Sequence, residues 1–340
     1  MLSRLMLCLV FVAPIIFCEE KLPEGVQLIT YKGWPESLSI TSTQNSNKVV
    51  IVNAVGGRIL HYGPQDENLM FEVEGSDGKT LANTKGGFWV GGYNLDIGPE
   101  IVHPPDHPQL WMGQYKWKAT ASGAVVSTSE PDTVTGVQLE KKFAFDPKTG
   151  ALIIDGSMKN TSAKDVSYCL WDRTLCKGGG FAFFPLNKKS SMAQGWAARV
   201  KRYDPGAFNT TTPSSPNVKI IDGVLVMECN GPDGKIGADS DAGWMAYVRG
   251  RQLLVKSFAY DPKGKYTDAG NSVEVYWSPQ VAEIEPLSPE VTLKPGADYK
   301  FREVWQLIKL DDEIKTFEQA RALVDRAASE AAKVRALATE

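Results

Sequence analysis

The chain predicts an all-β fold, an antiparallel sandwich or barrel closed by one C-terminal helix, and three observations carry that reading. Short alternating or β-branched runs recur along it, separated by clusters of Gly, Pro, Asn and Asp. Helical periodicity is nearly absent before residue 311. The last segment then turns rich in Ala, Glu, Lys and Arg, with Ile314, Phe317, Ala320, Leu323 and Val324 on one stripe. The chain has 340 residues and is 43% apolar, enough to fill one large β core. No repeat with a period of about 20–50 residues points to a propeller or solenoid.

Taken in order, Met1–Arg4 is a short basic stretch and residues 5–17 are apolar but too short to span a bilayer comfortably. Residues 1–18 therefore read as a signal peptide cut near Cys18, which places the mature protein outside the cytoplasm, secreted or periplasmic. Lipid attachment at Cys18 is the less favoured alternative, because Phe17 is bulky for a lipoprotein signal. The β domain is expected over 24–310 and the helix, packed on it, over 311–340. Residues 48–53 (KVVIVN) and 58–62, joined through Ala54-Val55-Gly56-Gly57, read as a hairpin. Strands follow at 115–121, 124–129, 135–145 and 152–159, with Asp146-Pro147 and Thr149-Gly150 marking a hairpin turn. Others are expected at 166–171, 219–229, 243–249, 252–260, 273–276 and 299–307. Thr316 followed by Gln319 is a capping box for the final helix.

Three features carry chemistry. Glu283 and Glu285 stand two apart on a strand-like run, which puts both carboxylates on one face. The segment 86–108 (GGFWVGGYNLDIGPEIVHPPDHP) is too rich in Gly and Pro for long regular structure. It sets Phe88, Trp89 and Tyr93, with Trp111 nearby, in a rigid aromatic loop of the kind that floors small-molecule sites. The net charge of -3 gives no reason to expect nucleic acid or an anionic membrane, and argues for a small or neutral ligand. Of three histidines, His61 ends a strand, while His103 and His107 lie on the aromatic loop with Asp106. The prolines around them prevent the helical spacing of a metal set, so neither metal nor cofactor is expected. The mature chain keeps Cys169, Cys176 and Cys229, an odd number that is no disulfide framework. A Cys169–Cys176 bridge stays open, with three buried thiols the preferred reading. Asn160 and Asn209 fit the glycosylation pattern.

At these residues the chain resembles the galactose mutarotase-like, aldose 1-epimerase-related superfamily, over roughly 48–307. Val52 to Leu60 (VNAVGGRIL) resembles its opening strand pair, and residues 91–100 (GGYNLDIGPE) its Gly-Gly loop. Residues 159–174 resemble the polar turn and strand that deliver a histidine. Lys235-Ile236-Gly237 and 243–247 resemble the central strands, and Ile284-Glu285-Pro286 with 293–296 the acid-bearing strand and closing turn. The resemblance implies a two-layer β-supersandwich with a sugar-sized cleft on its concave sheet. It also implies a carboxylate that takes the anomeric proton while a histidine protonates the ring oxygen. Glu285 matches the acid position. The histidine position departs, reading Leu170-Trp171-Asp172-Arg173-Thr174, and Tyr93-Asn94 stands where relatives often have His-Arg. A proton donor is then sought in His103 or Asp172, since an arginine does not easily give up its proton. Arg173, Asn94, Glu100, Tyr93, Trp111, Trp171 and Glu283 are expected around the sugar, with Trp89 and Trp277 as further stacking candidates. A sugar met outside the cytoplasm is expected to be unphosphorylated and neutral. Two functions follow: an exported protein that binds a neutral sugar, or an aldose 1-epimerase-type isomerase.

Overall fold

The structure, a computed structural model, describes residues 22–85, 88–100, 105–202, 204 and 206–339. The expected signal segment and His103 lie outside the described residues. Two antiparallel sheets face each other. The first has 12 strands, and its order runs Val26–Tyr31, Trp34–Thr41, Lys48–Val52, Arg58–Gly63, Gly92–Gly98, Val166–Lys177 to mid-sheet. It continues Val281–Pro286, Val273–Trp277, Gly234–Ala238, Ala197–Arg199 and Phe208–Asn209, with Val291–Leu293 paired onto Val166–Lys177. The second has 9 strands, ordered Val218–Ile221, Val224–Cys229, Gly180–Pro185, Trp244–Phe258, Asp298–Ile314, Leu152–Asn160, Val137–Phe145, Val125–Thr128 and Lys116–Ala119. This is the expected supersandwich.

Several boundaries differ from the sequence reading for local reasons. The single strand expected at 219–229 is two strands, Val218–Ile221 and Val224–Cys229. Asp222 (φ 49°) and Gly223 (φ 73°) form the tight turn between them, and left-handed geometry at both positions is what a two-residue hairpin needs. The pair expected at 243–249 and 252–260 is one strand, Trp244–Phe258, bent at Gly250 where the register shifts. The 166–171 strand runs on to Lys177. The terminal segment keeps strand form through Ile314 before Thr316 and Gln319 close the capping box. Two helices follow, Phe317–Ala322 and Val324–Thr339. Among the described residues no helix is long and apolar enough to cross a membrane.

Alternation decides what each face does. The inner faces of both sheets bury Tyr62, Tyr93, Phe143, Leu254, Trp277, Ile284 and Trp305 in one core, with Tyr93 meeting Trp305 edge-on at 5.2 Å between centroids. The outer face of the second sheet is sealed by the terminal helices, whose Ala320, Val324, Ala327 and Ala331 pack on Phe183, Trp244, Val248 and Leu253. Cys169, Cys176 and Cys229 are buried and free. On the outer face of the first sheet, Phe88, Val90 and Trp111 pack with Trp34, Val50, Val52 and Leu60 over one part, and polar side chains occupy the middle.

Candidate functional site

The site sits on that outer face, at mid-sheet. On Val166–Lys177 the residues Leu170, Asp172, Thr174 and Cys176 turn inward, and Trp171, Arg173 and Leu175 outward. Val281–Pro286 buries Ala282 and Ile284 inward and turns Glu283 and Glu285 outward. Gly234–Ala238 contributes Lys235, and Val273–Trp277 contributes Glu274 and Tyr276. Above them lies a cleft of 490 Å³ lined in part by Trp89, Glu100, Arg173, Arg199, Lys235, Tyr276 and Glu283. That volume suits a ligand of sugar size. A hollow of 20 Å³ continues beside it, between Trp171, Lys235, Asp268 and Glu274.

Two cations organise the floor, both over the Trp171 indole. The Arg173 guanidinium lies 4.9 Å and the Lys235 ammonium 4.5 Å from the ring centroid. Arg173 donates to Glu100 Oε1 at 3.3 Å and stands 3.8 Å from Asp96 Oδ2 and 3.9 Å from Glu283 Oε2. Burial works against its charge, but Glu100, Glu283 and Asp96 outweigh it and hold its pKa above the ordinary value. Asp96 is anchored from behind: its Oδ1 lies 2.8 Å from His107 Nε2 and accepts from the Ile97 amide at 2.8 Å. Burial pushes the Asp96 pKa up, yet His107 and Arg173 bring it below the usual carboxylate range. For His107 burial lowers the pKa and Asp96, prevailing, raises it.

Lys235 Nζ lies 2.5 Å from Glu274 Oε2 and 3.0 Å from Glu285 Oε2. Four acids thus surround one lysine: Glu283, Glu285, Glu274 and Asp268. Burial and the neighbouring Glu285 push the Glu283 carboxyl up to about 8, and burial with Glu274 does the same for Asp268. Glu274 is raised as well, by burial first, against the pull of Lys235. Glu285 meets Lys235 only as an ion pair, and neither of its oxygens has a hydrogen-bond donor among the nitrogens and hydroxyls of the described residues. Burial and the neighbouring Glu285 thus favour a protonated Glu283 carboxyl, whose O–H is the donor available beside Glu285. Asp268 and Ala269 both have positive φ, 51° and 66°, a strained turn of the sort found beside functional sites.

The expected site residues divide accordingly. Glu100, Arg173 and Glu283 meet in the cleft, with Trp171 as its floor. Glu285 is fully buried beneath, behind Glu283. Asp172, expected as a proton donor, faces the opposite way, because it neighbours Arg173 on one strand and alternation sends it inward. Its Oδ2 is 2.5 Å from Lys256 Nζ, in the core between the sheets. Tyr93, expected at the sugar, is likewise inward, against Trp305 and Phe143. Asn94 is fully buried and accepts from Lys141 Nζ at 2.8 Å. Trp111 sits behind Trp89, edge-on at 5.3 Å, and Trp277 is in the core. His107, weighed from the sequence as a residue that could reach the cleft, instead backs Asp96, and sequence reasoning did not nominate Asp96, Lys235 or Glu274 for the site. Asp96 and Lys235 already lay within quoted motifs, and pairing of their strands with those of Arg173 and Glu274 brings them in.

Two stacked antiparallel sheets with a charged cleft on the outer mid-face define a protein of galactose mutarotase-like fold. A crystal structure from Escherichia coli K12, named provisionally as an aldose 1-epimerase, superposes with TM-score 0.58 at 10% identity, covering 80% of this chain and 99% of the other. A galactose mutarotase-like protein from Lactobacillus casei ATCC 334 gives TM-score 0.53 at 12% identity, over 79% and 100%. A galactose mutarotase related enzyme from Lactobacillus acidophilus gives 0.51 at 11% identity, over 81% and 99%. At such identities the likeness is one of fold. No curated protein matches the chain. Residues 98–308 match the model of a family described as a domain of unknown function, DUF4380, and the chain belongs to that family.

Proposed function

We propose that this chain is an exported carbohydrate-binding protein that takes a sugar into the Arg173–Glu283 cleft. The observation that carries the reading is the floor itself: a carboxyl that keeps its proton near neutral pH, Glu283, beside a fixed guanidinium, Arg173. Together they offer donors and acceptors to sugar hydroxyls, and Trp89, 43% exposed at the cleft wall, offers an apolar ring face. Export rests on the basic and apolar pattern of the first 17 residues.

One observation favours a second reading, an aldose 1-epimerase-type isomerase. Glu283 lines the cleft with a carboxyl that burial and Glu285 push up to about 8, and anomer exchange requires proton transfer to and from the sugar. In this form Glu283 faces the substrate and Glu285 tunes it. Anomer exchange of neutral aldoses followed by NMR on the purified protein tests both readings, with Glu283→Gln as control. Acceleration that the control abolishes establishes the isomerase. Binding-induced shifts without acceleration leave a sugar-binding protein, and neither response to any sugar sinks the proposal.

A further inference from the structure

We propose that the sugar is acidic, carrying a carboxylate, and that Arg199 is the group that reads it. This rests on the sugar-binding reading above and adds the charge of the ligand. The expectation of a neutral sugar drew on the bland net charge of -3, a sum over the chain that is blind to local clustering, and on the expected export, which argues against a phosphorylated sugar but not against a carboxylate. The cleft is lined by four cations, Arg173, Arg199, Arg202 and Lys235, against two carboxyls, Glu100 and Glu283. The floor cations are already engaged: Arg173 with Glu100, Asp96 and Glu283, Lys235 with Glu274 and Glu285.

Arg199 differs from them. Among the described residues no carboxylate lies within ion-pair distance of it, although it lines both the cleft and the smaller hollow. Its guanidinium instead packs over the Tyr276 ring at 5.7 Å, while the Tyr276 hydroxyl donates to Asp233 at 3.0 Å. That bond and the strand hold the aromatic platform in place. A guanidinium steadied on an aromatic ring, and not engaged by a protein carboxylate, is suited to recognising a planar anion through paired N–H donors. One such group balances one negative charge. A doubly charged phosphate ester would leave charge facing Glu100 across the same cleft, so the monoanionic carboxylate of a uronic acid fits better.

The test is calorimetric titration of the purified protein at low salt with galacturonate and glucuronate, with their parents galactose and glucose, and with glucose 6-phosphate. Each is repeated in Arg199→Gln and Arg199→Lys. A charge-assisted bidentate contact predicts that at least one uronate binds about 10-fold or more tightly than its parent. The advantage shrinks with added salt, collapses to near parity in Arg199→Gln and partly returns in Arg199→Lys. Circular dichroism and the melting temperature report that each variant is folded, and the uronate-to-parent ratio is compared within each variant; if Arg199→Gln does not fold, Arg199→Lys decides by losing bidentate geometry and part of the advantage. Uronate and parent binding alike, or an advantage intact in both variants, overturns this proposal and leaves the sugar-binding reading in place. A preference for the phosphate ester over both uronates overturns the carboxylate. No response to any of the five overturns both readings.

Discussion

Two charged clusters occupy opposite faces of one strand, and their difference separates structure from function. On the inner face Lys256 is closed off. Its ammonium meets Asp172 Oδ2 at 2.5 Å, the Ile284 carbonyl at 2.9 Å, Thr174 Oγ1 at 3.0 Å and Glu303 Oε2 at 3.3 Å. The Trp305 ring lies beneath it at 4.4 Å, and the Trp305 indole N–H donates to Glu303 at 2.9 Å. Every proton the lysine can donate has an acceptor, and no ligand can reach it. On the outer face Lys235 and Arg173 also lie over an indole, but four acids crowd one lysine and the whole opens on a cleft. The first arrangement ties two sheets together. The second leaves polar groups facing an open cleft, where the proposed sugar would meet them.

Breaking the inner cluster should have the largest effect. Lys256→Met leaves Asp172 and Glu303 facing each other without a cation in the dry core, and should cost about 3–5 kcal/mol in urea unfolding while the sugar site is spared in the protein that still folds. Arg173→Met should cost less, about 2 kcal/mol, because Asp96 keeps His107 and Glu283 keeps its proton. The same change should weaken sugar binding about 10-fold or more, measured by titration, so the two variants should reverse each other's order in the two assays. A stability loss for Arg173→Met as large as for Lys256→Met would mean that the clusters are both structural.

The pH dependence gives the smaller effect. The folded pKa of Glu283 is raised to about 8, whereas an unfolded glutamate loses its proton near ~4.3. Between those values the folded state binds the extra proton, so stability falls as pH rises through the window, by at most ~1.4 kcal/mol per unit from this group. Below the unfolded value the penalty is absent. Glu283→Gln cannot ionise, and should flatten that slope in melts run from pH 5 to 8. An unchanged slope would assign it to Asp268, which burial and Glu274 also raise to about 8.

What could be read in the sequence follows from the period of a strand. Glu283 and Glu285, two apart, do share a face. The same rule says that Asp172 and Arg173, one apart, cannot, and the inward course of Asp172 was legible in the alternation of its own strand. The sandwich, its turns at Asp146–Gly150 and the Thr316–Gln319 capping box are local signals and survive translation into structure. The site is not local. Lys235 reaches Glu285 because Gly234–Ala238 and Val281–Pro286 flank Val273–Trp277, a pairing over some distance in sequence that no spacing of residues announces. His107 meets Asp96 through a side-chain contact at 2.8 Å that their spacing likewise does not announce.

The three cysteines give a way to time how this molecule opens. Burial pushes the Cys169 and Cys229 thiols up to about 12 and raises Cys176 as well, and only a thiolate attacks a thiol reagent. Each sulfur should therefore stay silent until its surroundings part. Cys169 packs with Trp171 and Leu287 under the cleft, whereas Cys176 and Cys229 lie in the core between the sheets. We expect one common labelling rate, resolved site by site by mass, because the strand that carries Cys169 also carries Cys176. A head start at Cys169 would instead reveal a cleft floor that breathes while the sandwich behind it stays shut.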